Sequence, residues 1–107
     1  MSREYTEDEV REMFLRNVWN ILNYWKNESR AETLDEKMEG FAFSFLVMLD
    51  GGSGNSPGFI VAPSAHEDDK EYNISEGENY YPQNHESDVK CDIAGYLHEI
   101  FKDYKSK

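Results

Sequence analysis

Basic residues are scarce in this chain: 11 Lys and Arg stand against 22 Asp and Glu, a formal net charge of −11. Phosphate backbones and anionic lipid both need positive patches, so the imbalance argues against direct nucleic-acid binding and against a membrane surface. A basic protein or a bound cation is the more natural partner. Cysteine is nearly absent too. Cys91 alone cannot form an internal disulfide, and a lone thiol fits a reducing compartment, which points to the cytoplasm. Only one long apolar run is present, Gly40 to Leu49. Met1-Ser2-Arg3-Glu4-Tyr5 passes straight into charge with no apolar signal core, and Phe41 to Leu49 is far too short to cross a bilayer, so secretion and membrane spanning are both disfavoured.

What is present suffices for a fold. The 107 residues are 38% hydrophobic and 14% aromatic, enough apolar surface to offset chain entropy despite 31% charged residues. Residues 1–107 read as a single domain with little spare stability.

Thr6-Glu7-Asp8-Glu9 spells a capping box, with acids at the positive end of the helix it would start. Val10, Met13, Phe14, Asn17, Val18, Ile21, Leu22 and Trp25 then recur at helical spacing, predicting a helix from about Thr6 to Lys26. Leu15 and Trp19 fall outside that stripe and suggest either a wide core contact or a homodimer surface. Ser29 with Glu32, or Thr33 with Glu36, can cap a second helix. In it the run Gly40-Phe41-Ala42-Phe43-Ser44-Phe45-Leu46-Val47-Met48-Leu49 carries two periods. Leu34, Met38, Phe41 and Phe45 keep helical spacing, whereas Phe41, Phe43, Phe45, Val47 and Leu49 alternate as in a strand. The helix is preferred, since the Leu34 register carries through and Ala, Leu and Met favour it. Gly40 would then permit close approach by another helix. Asp50 to Gly58 reads as a helix stop and turn: it lacks the Gly-Lys-Ser/Thr of a phosphate loop, and only Asp50 offers a calcium-binding carboxylate.

Beyond the turn, Phe59-Ile60-Val61-Ala62 reads as a strand, with Glu71-Tyr72-Asn73-Ile74 as its partner. Val89, Ile93, Tyr96, Leu97, Ile100, Phe101 and Tyr104 read as the stripe of a last helix, Asp88 to Tyr104, with Asp88 as N-cap. The expected architecture is α+β, three helices with a small two-stranded antiparallel sheet; the alternative packs helices on a larger sheet with Phe41–Leu49 as a strand.

Acidity is concentrated between Ser64 and Val89, where eight acids face one base, Lys70. Glu67, Asp68, Asp69, Glu71, Glu76 and Glu78 are interspersed with Tyr72, Tyr80 and Tyr81, a composition suited to engaging a basic protein; the plain alternative is a solvated loop. A metal-binding protein or metal-dependent hydrolase is a second reading, using His66, Asp69, His85 or His98. The spacing matches no established pattern, because His98-Glu99-Ile100-Phe101-Lys102 lacks the second His of a zincin. A third reading is a DNA-mimicking inhibitor. No catalytic residue is assigned and no cofactor is expected.

Gly40-Phe41-Ala42-Phe43-Ser44, Leu49-Asp50-Gly51, Pro57-Gly58-Phe59, Pro63, His66, Asp68-Asp69-Lys70, Gly77-Glu78-Asn79-Tyr80-Tyr81 and Leu97-His98-Glu99-Ile100-Phe101 together resemble a group of small uncharacterised bacterial and phage proteins. The resemblance runs from Thr33 to Phe101. It implies a bacterial or phage setting and some interest in His66, Asp68, Asp69 and His98, and it brings no activity. The leading expectation is a noncatalytic acidic protein-binding module, a bacterial or phage regulator engaging a basic protein surface.

Overall fold

The computed structural model describes residues 2–54, 56–85 and 87–105. Its first element, α1 (Glu7–Asn27), starts where the capping box places it: the Thr6 hydroxyl accepts from the Glu9 amide at 3.2 Å, and the Glu9 carboxylate accepts from the Thr6 amide at 2.9 Å. The second helix, α2 (Leu34–Leu49), is capped by Thr33, which accepts from the Glu36 amide at 3.1 Å, so the later of the two candidate starts is used. Phe41 through Leu49 is therefore helix, and the alternative with a strand there does not form. Phe41 and Phe45 stack at 6.3 Å on one face of α2, as an i, i+4 pair should.

The hairpin of α1 and α2 closes through aromatic and small residues. Phe14 on α1 meets Phe45 edge-on at 6.2 Å and Phe59 at 5.3 Å. Toward the other end of α1, Trp25 lies flat against Gly40, where a Cβ would come within 2.5 Å of its ring, and its Nε1–H donates to Ser44 Oγ at 2.8 Å. Gly40 and Ser44, one turn apart, thus make the shelf on which Trp25 rests. Early α1 contacts late α2 and late α1 contacts early α2, so the helices run antiparallel. Lys37 locks the turn: its Nζ donates to the carbonyls of Trp25, Lys26 and Glu28 at 3.0–3.2 Å, serving the negative end of α1 from the first turn of α2.

Helix α2 ends in a Schellman motif. The Gly52 amide donates to Val47 O at 2.9 Å and the Gly51 amide to Met48 O at 3.2 Å, with Gly51 at φ +87°, a backbone state that L side chains resist. Burial is thin: among the described residues Ala31 and Met48 alone are buried apolar side chains.

The second half departs from expectation. Among the described residues there is no strand, so the α+β architecture with a two-stranded sheet is replaced by an all-helical one; His85 and Asp88 form only an isolated bridge. Phe59–Ala62 does run without helix, but its neighbour is the segment before α4: Ile93 donates to Val61 O at 2.7 Å, while the Val61 amide donates to the Asp92 carboxylate at 2.9 Å. A side chain takes the donor that a ladder would use, and pairing goes no further. Glu71–Ile74, the expected partner strand, lies inside α3 (Asp69–Ser75). That helix closes in a second Schellman motif, with Glu78 donating to Asn73 O and Gly77 to Ile74 O.

The expected last helix, Asp88 to Tyr104, shrinks to α4 (Leu97–Ile100) followed by one 3₁₀ turn, Phe101–Tyr104. Its first half is diverted by polar side chains. Asn84 Oδ1 accepts the Lys90 amide at 2.6 Å and the Cys91 amide at 3.3 Å, Asp92 Oδ1 accepts from Ala94, and Gly95 sits at φ +116°. Asp88 caps no helix; its backbone pairs back to His85.

Candidate partner-binding surface

The acidic segment is a short helix with a strip of chain laid beside it. Asp69, in the first turn of α3, is half-buried and points its carboxylate along the helix and across to the strip: Oδ1 accepts from Asn73 Nδ2 at 3.0 Å and Oδ2 from the Tyr81 amide at 3.1 Å. One residue on, the Lys70 ammonium lies 5.5 Å from the centre of the Tyr80 ring, a contact worth about 0.5–1 kcal/mol at an exposed position. Asp69 is thus a brace. Glu67, Asp68, Glu71, Glu76 and Glu78 remain exposed around it, and Tyr72, Tyr80 and Tyr81 keep 64%, 46% and 62% of their surface open. From Glu67 to Tyr81 six acids stand against Lys70 alone, and Lys70 is engaged with Tyr80.

The four metal candidates do not converge. His66 Nδ1 accepts the Asp68 amide at 3.1 Å, Asp69 serves as the brace, His85 pairs through its backbone with Asp88, and His98 belongs to a separate cluster at the end of α2. Among the described residues no group of three or more ligand-type side chains could hold a metal ion.

That cluster is centred on Asp50, the C-cap of α2, whose side chain is 1% exposed. Oδ1 accepts the Gly95 amide at 2.6 Å, Oδ2 accepts the His98 amide at 2.8 Å, and His98 Nδ1 lies 2.6 Å from Oδ2. An ionised carboxylate offers lone pairs only, so Nδ1 carries the hydrogen. Burial pushes the Asp50 carboxyl upward, but the hydrogen bonds from the His98 amide and imidazole and from Gly95 outweigh it and hold the group below the ordinary aspartate value of 3.8. His98 also meets the Phe43 ring edge-on at 5.9 Å. Asp50 therefore ties the start of α4 to the end of α2 and holds up the chain between them. The sequence placed Asp50 at a helix stop and offered it as a lone calcium-type carboxylate, but not as a clamp; an acid directly after a helix and before paired glycines was the available signal.

Two other features lie on the hairpin. A cleft of about 530 Å³ opens between it and the 3₁₀ turn, floored by Trp25, Gly40, Phe43 and Phe101, with Lys102 placed 5.8 Å over Phe43. On the far side of α1, Leu15 and Trp19 are 51% and 62% exposed, so they do not take the core role that was one of their two readings. No described helix is long and apolar enough to cross a membrane.

No family model matches the chain, and no curated protein or solved structure does either.

Proposed function

We propose that this protein is a noncatalytic binding module that takes a basic protein surface onto α3 and the strip from Glu78 to Tyr81. The Asp69 brace is the observation that carries the reading. It spends one carboxylate on holding the strip in place, which leaves five exposed acids and three exposed tyrosines fixed around it. A solvated loop that served only solubility would need no such brace. The acids would steer a cationic partner into contact, and the tyrosines would supply apolar area at low entropic cost. The lone Cys91 fits a cytoplasmic setting, and a bacterial or phage regulator is the role we assign.

The immobilised protein, exposed to lysate at low salt, gives the partner to be purified and titrated by calorimetry. Affinity should fall by about tenfold or more between ~50 and ~500 mM salt. Glu67→Lys with Asp68→Lys and Glu71→Lys should abolish the salt dependence, while Tyr80→Ala with Tyr81→Ala should weaken binding and leave its salt dependence unchanged. A partner whose affinity ignores both salt and the triple reversal would rule the reading out.

A further inference from the structure

We propose that α1 is the interface of a symmetric homodimer, in which a second copy of this chain lies antiparallel across its outward stripe. The inference is independent of the α3 surface and rests on three observations.

The first is unburied surface. The chain exposes 8879 Å² and has a radius of gyration of 17.6 Å. A compact monomer of 12.5 kDa exposes about 6,200 Å², and a compact chain of this length has a radius near 13 Å. The excess, about 2,700 Å² per chain, is more than the roughly 1,000–2,500 Å² per partner that a permanent interface covers, and it is spread over the whole molecule, with the outer face of α1 as one part of it.

The second is a regular stripe. Asp8, Leu15, Trp19, Leu22 and Lys26 fall within a sector of about 60° at 100° per residue, centred about 100° around α1 from Phe14 and Trp25, with Leu22 on the border between the two faces. Leu15, Trp19 and Leu22 are 51%, 62% and 37% exposed, and a shallow groove runs along this side between Asp8, Arg11, Glu12, Arg16 and Trp19.

The third is self-complementarity. A two-fold axis beside residue 17 sets Leu15 against the partner's Trp19 and Asp8 against the partner's Lys26, and it sets Leu22 level with the partner's Glu12, whose methylene stem is the part that can cover it. Each pair occurs twice, and the helix dipoles oppose each other. A parallel pairing would set Asp8 on Asp8 and Glu12 on Glu12 with the dipoles aligned. The ordering of charge along the stripe, acid first and base last, therefore makes it complementary to a second copy of itself in the antiparallel orientation and not in the parallel one. The pair between Asp8 and Arg11 at 2.7 Å is solvent-exposed and yields readily to a new neighbour.

Sedimentation equilibrium of the full chain between ~5 and ~100 µM tests this, with far-UV circular dichroism reporting α1. Twice the 12.5 kDa chain mass is expected for the wild type and the single chain mass for Trp19→Glu, at equal helicity. Lys26→Glu should raise the dimer dissociation constant about tenfold or more, and adding Asp8→Lys should restore it. That rescue distinguishes the antiparallel register from a general loss of stability. A wild type that is monomeric throughout overturns the proposal and leaves the stripe to a different partner. A Trp19→Glu protein that stays dimeric, or a folded double variant that does not regain affinity, overturns it equally.

Discussion

In the hairpin of α1 and α2 the backbone bonds to itself within each helix, and the helices meet side chain on side chain: Phe14 on Phe45, Trp25 on Gly40 and Ser44. In the arm after Pro57 the relation is inverted. Asp50, Asn84 and Asp92 use side-chain oxygens to hold backbone amides, at separations of up to 48 residues in the case of Asp50 and His98. Periodicity encodes the first kind of structure, because a helix repeats its environment every turn. The second kind has no period, since each bond depends on where a distant carboxylate or amide happens to lie.

The sharpest way to test that contrast is to remove the buried methionine of the hairpin. Met48→Ala should cost about 2–5 kcal/mol, the usual range for truncating a buried side chain, and should lower the urea midpoints of hairpin and arm together, because the arm hangs on α2. Asp50→Asn should cost about 2 kcal/mol from lost charge-assisted bonds, but the loss should be local. Amide exchange should accelerate at Gly95 and His98 while α1 and α2 keep their protection. A hairpin that unfolds with the arm would show that the two regions are one cooperative unit.

Acid sharpens the same comparison. The native carboxyl of Asp50 is held below its ordinary value of 3.8, so its contribution is complete above that value and fades as pH falls through the lower native one. The wild-type arm should therefore loosen below about pH 4. In Asp50→Asn, arm exchange should be fast already at neutral pH and gain little from acid. Glu9, held at about 2 chiefly by its hydrogen bond from Arg3, is likewise lowered at the other end of the molecule, so readout at Gly95 and His98 is needed to separate the two.

Smaller effects belong to the hairpin's ends. Lys37→Met leaves the last carbonyls of α1 without their ammonium and should cost about 1–2 kcal/mol, seen as a lower melting temperature. Thr6→Ala removes one cap and should cost about 1 kcal/mol, confined to fraying of the first turn by amide exchange. If Lys37→Met proves no more costly than Thr6→Ala, the cross-helix lysine is a surface contact and the hairpin turn is held by packing alone.

These differences explain what could be read in advance. The Thr6–Glu9 box, the Thr33 cap, the helix through Phe41–Leu49 and the stop at Gly51 follow from local chemistry and were legible. Val61 reads as strand and Ile93 as helix, yet the side chains of Asp92 and Asn84 override both, and nothing in the surroundings of Asp92 announces a target 31 positions away, nor in those of Asn84 the Pro63 carbonyl 21 positions away. Gly77 did carry a signal, since a glycine after Ile74-Ser75-Glu76 suits a helix end better than the strand assigned there. At the candidate surface the acids and tyrosines were recognised as a group, but the inward role of Asp69 was not, because composition treats all carboxylates alike.

One consequence concerns the chain between the two ends of the Asp50 clamp. Phe59 bonds to Leu49 O on one side, and Gly95 and His98 bond to Asp50 on the other, so everything from Ile60 to Ala94 leaves and returns to a single point at the end of α2. Such a closed excursion is insensitive to its own length: doubling it adds only about 0.6 kcal/mol of closure entropy. The segment that carries the acids and tyrosines is therefore an insertable cassette, able to be lengthened or exchanged without changing what holds the hairpin together.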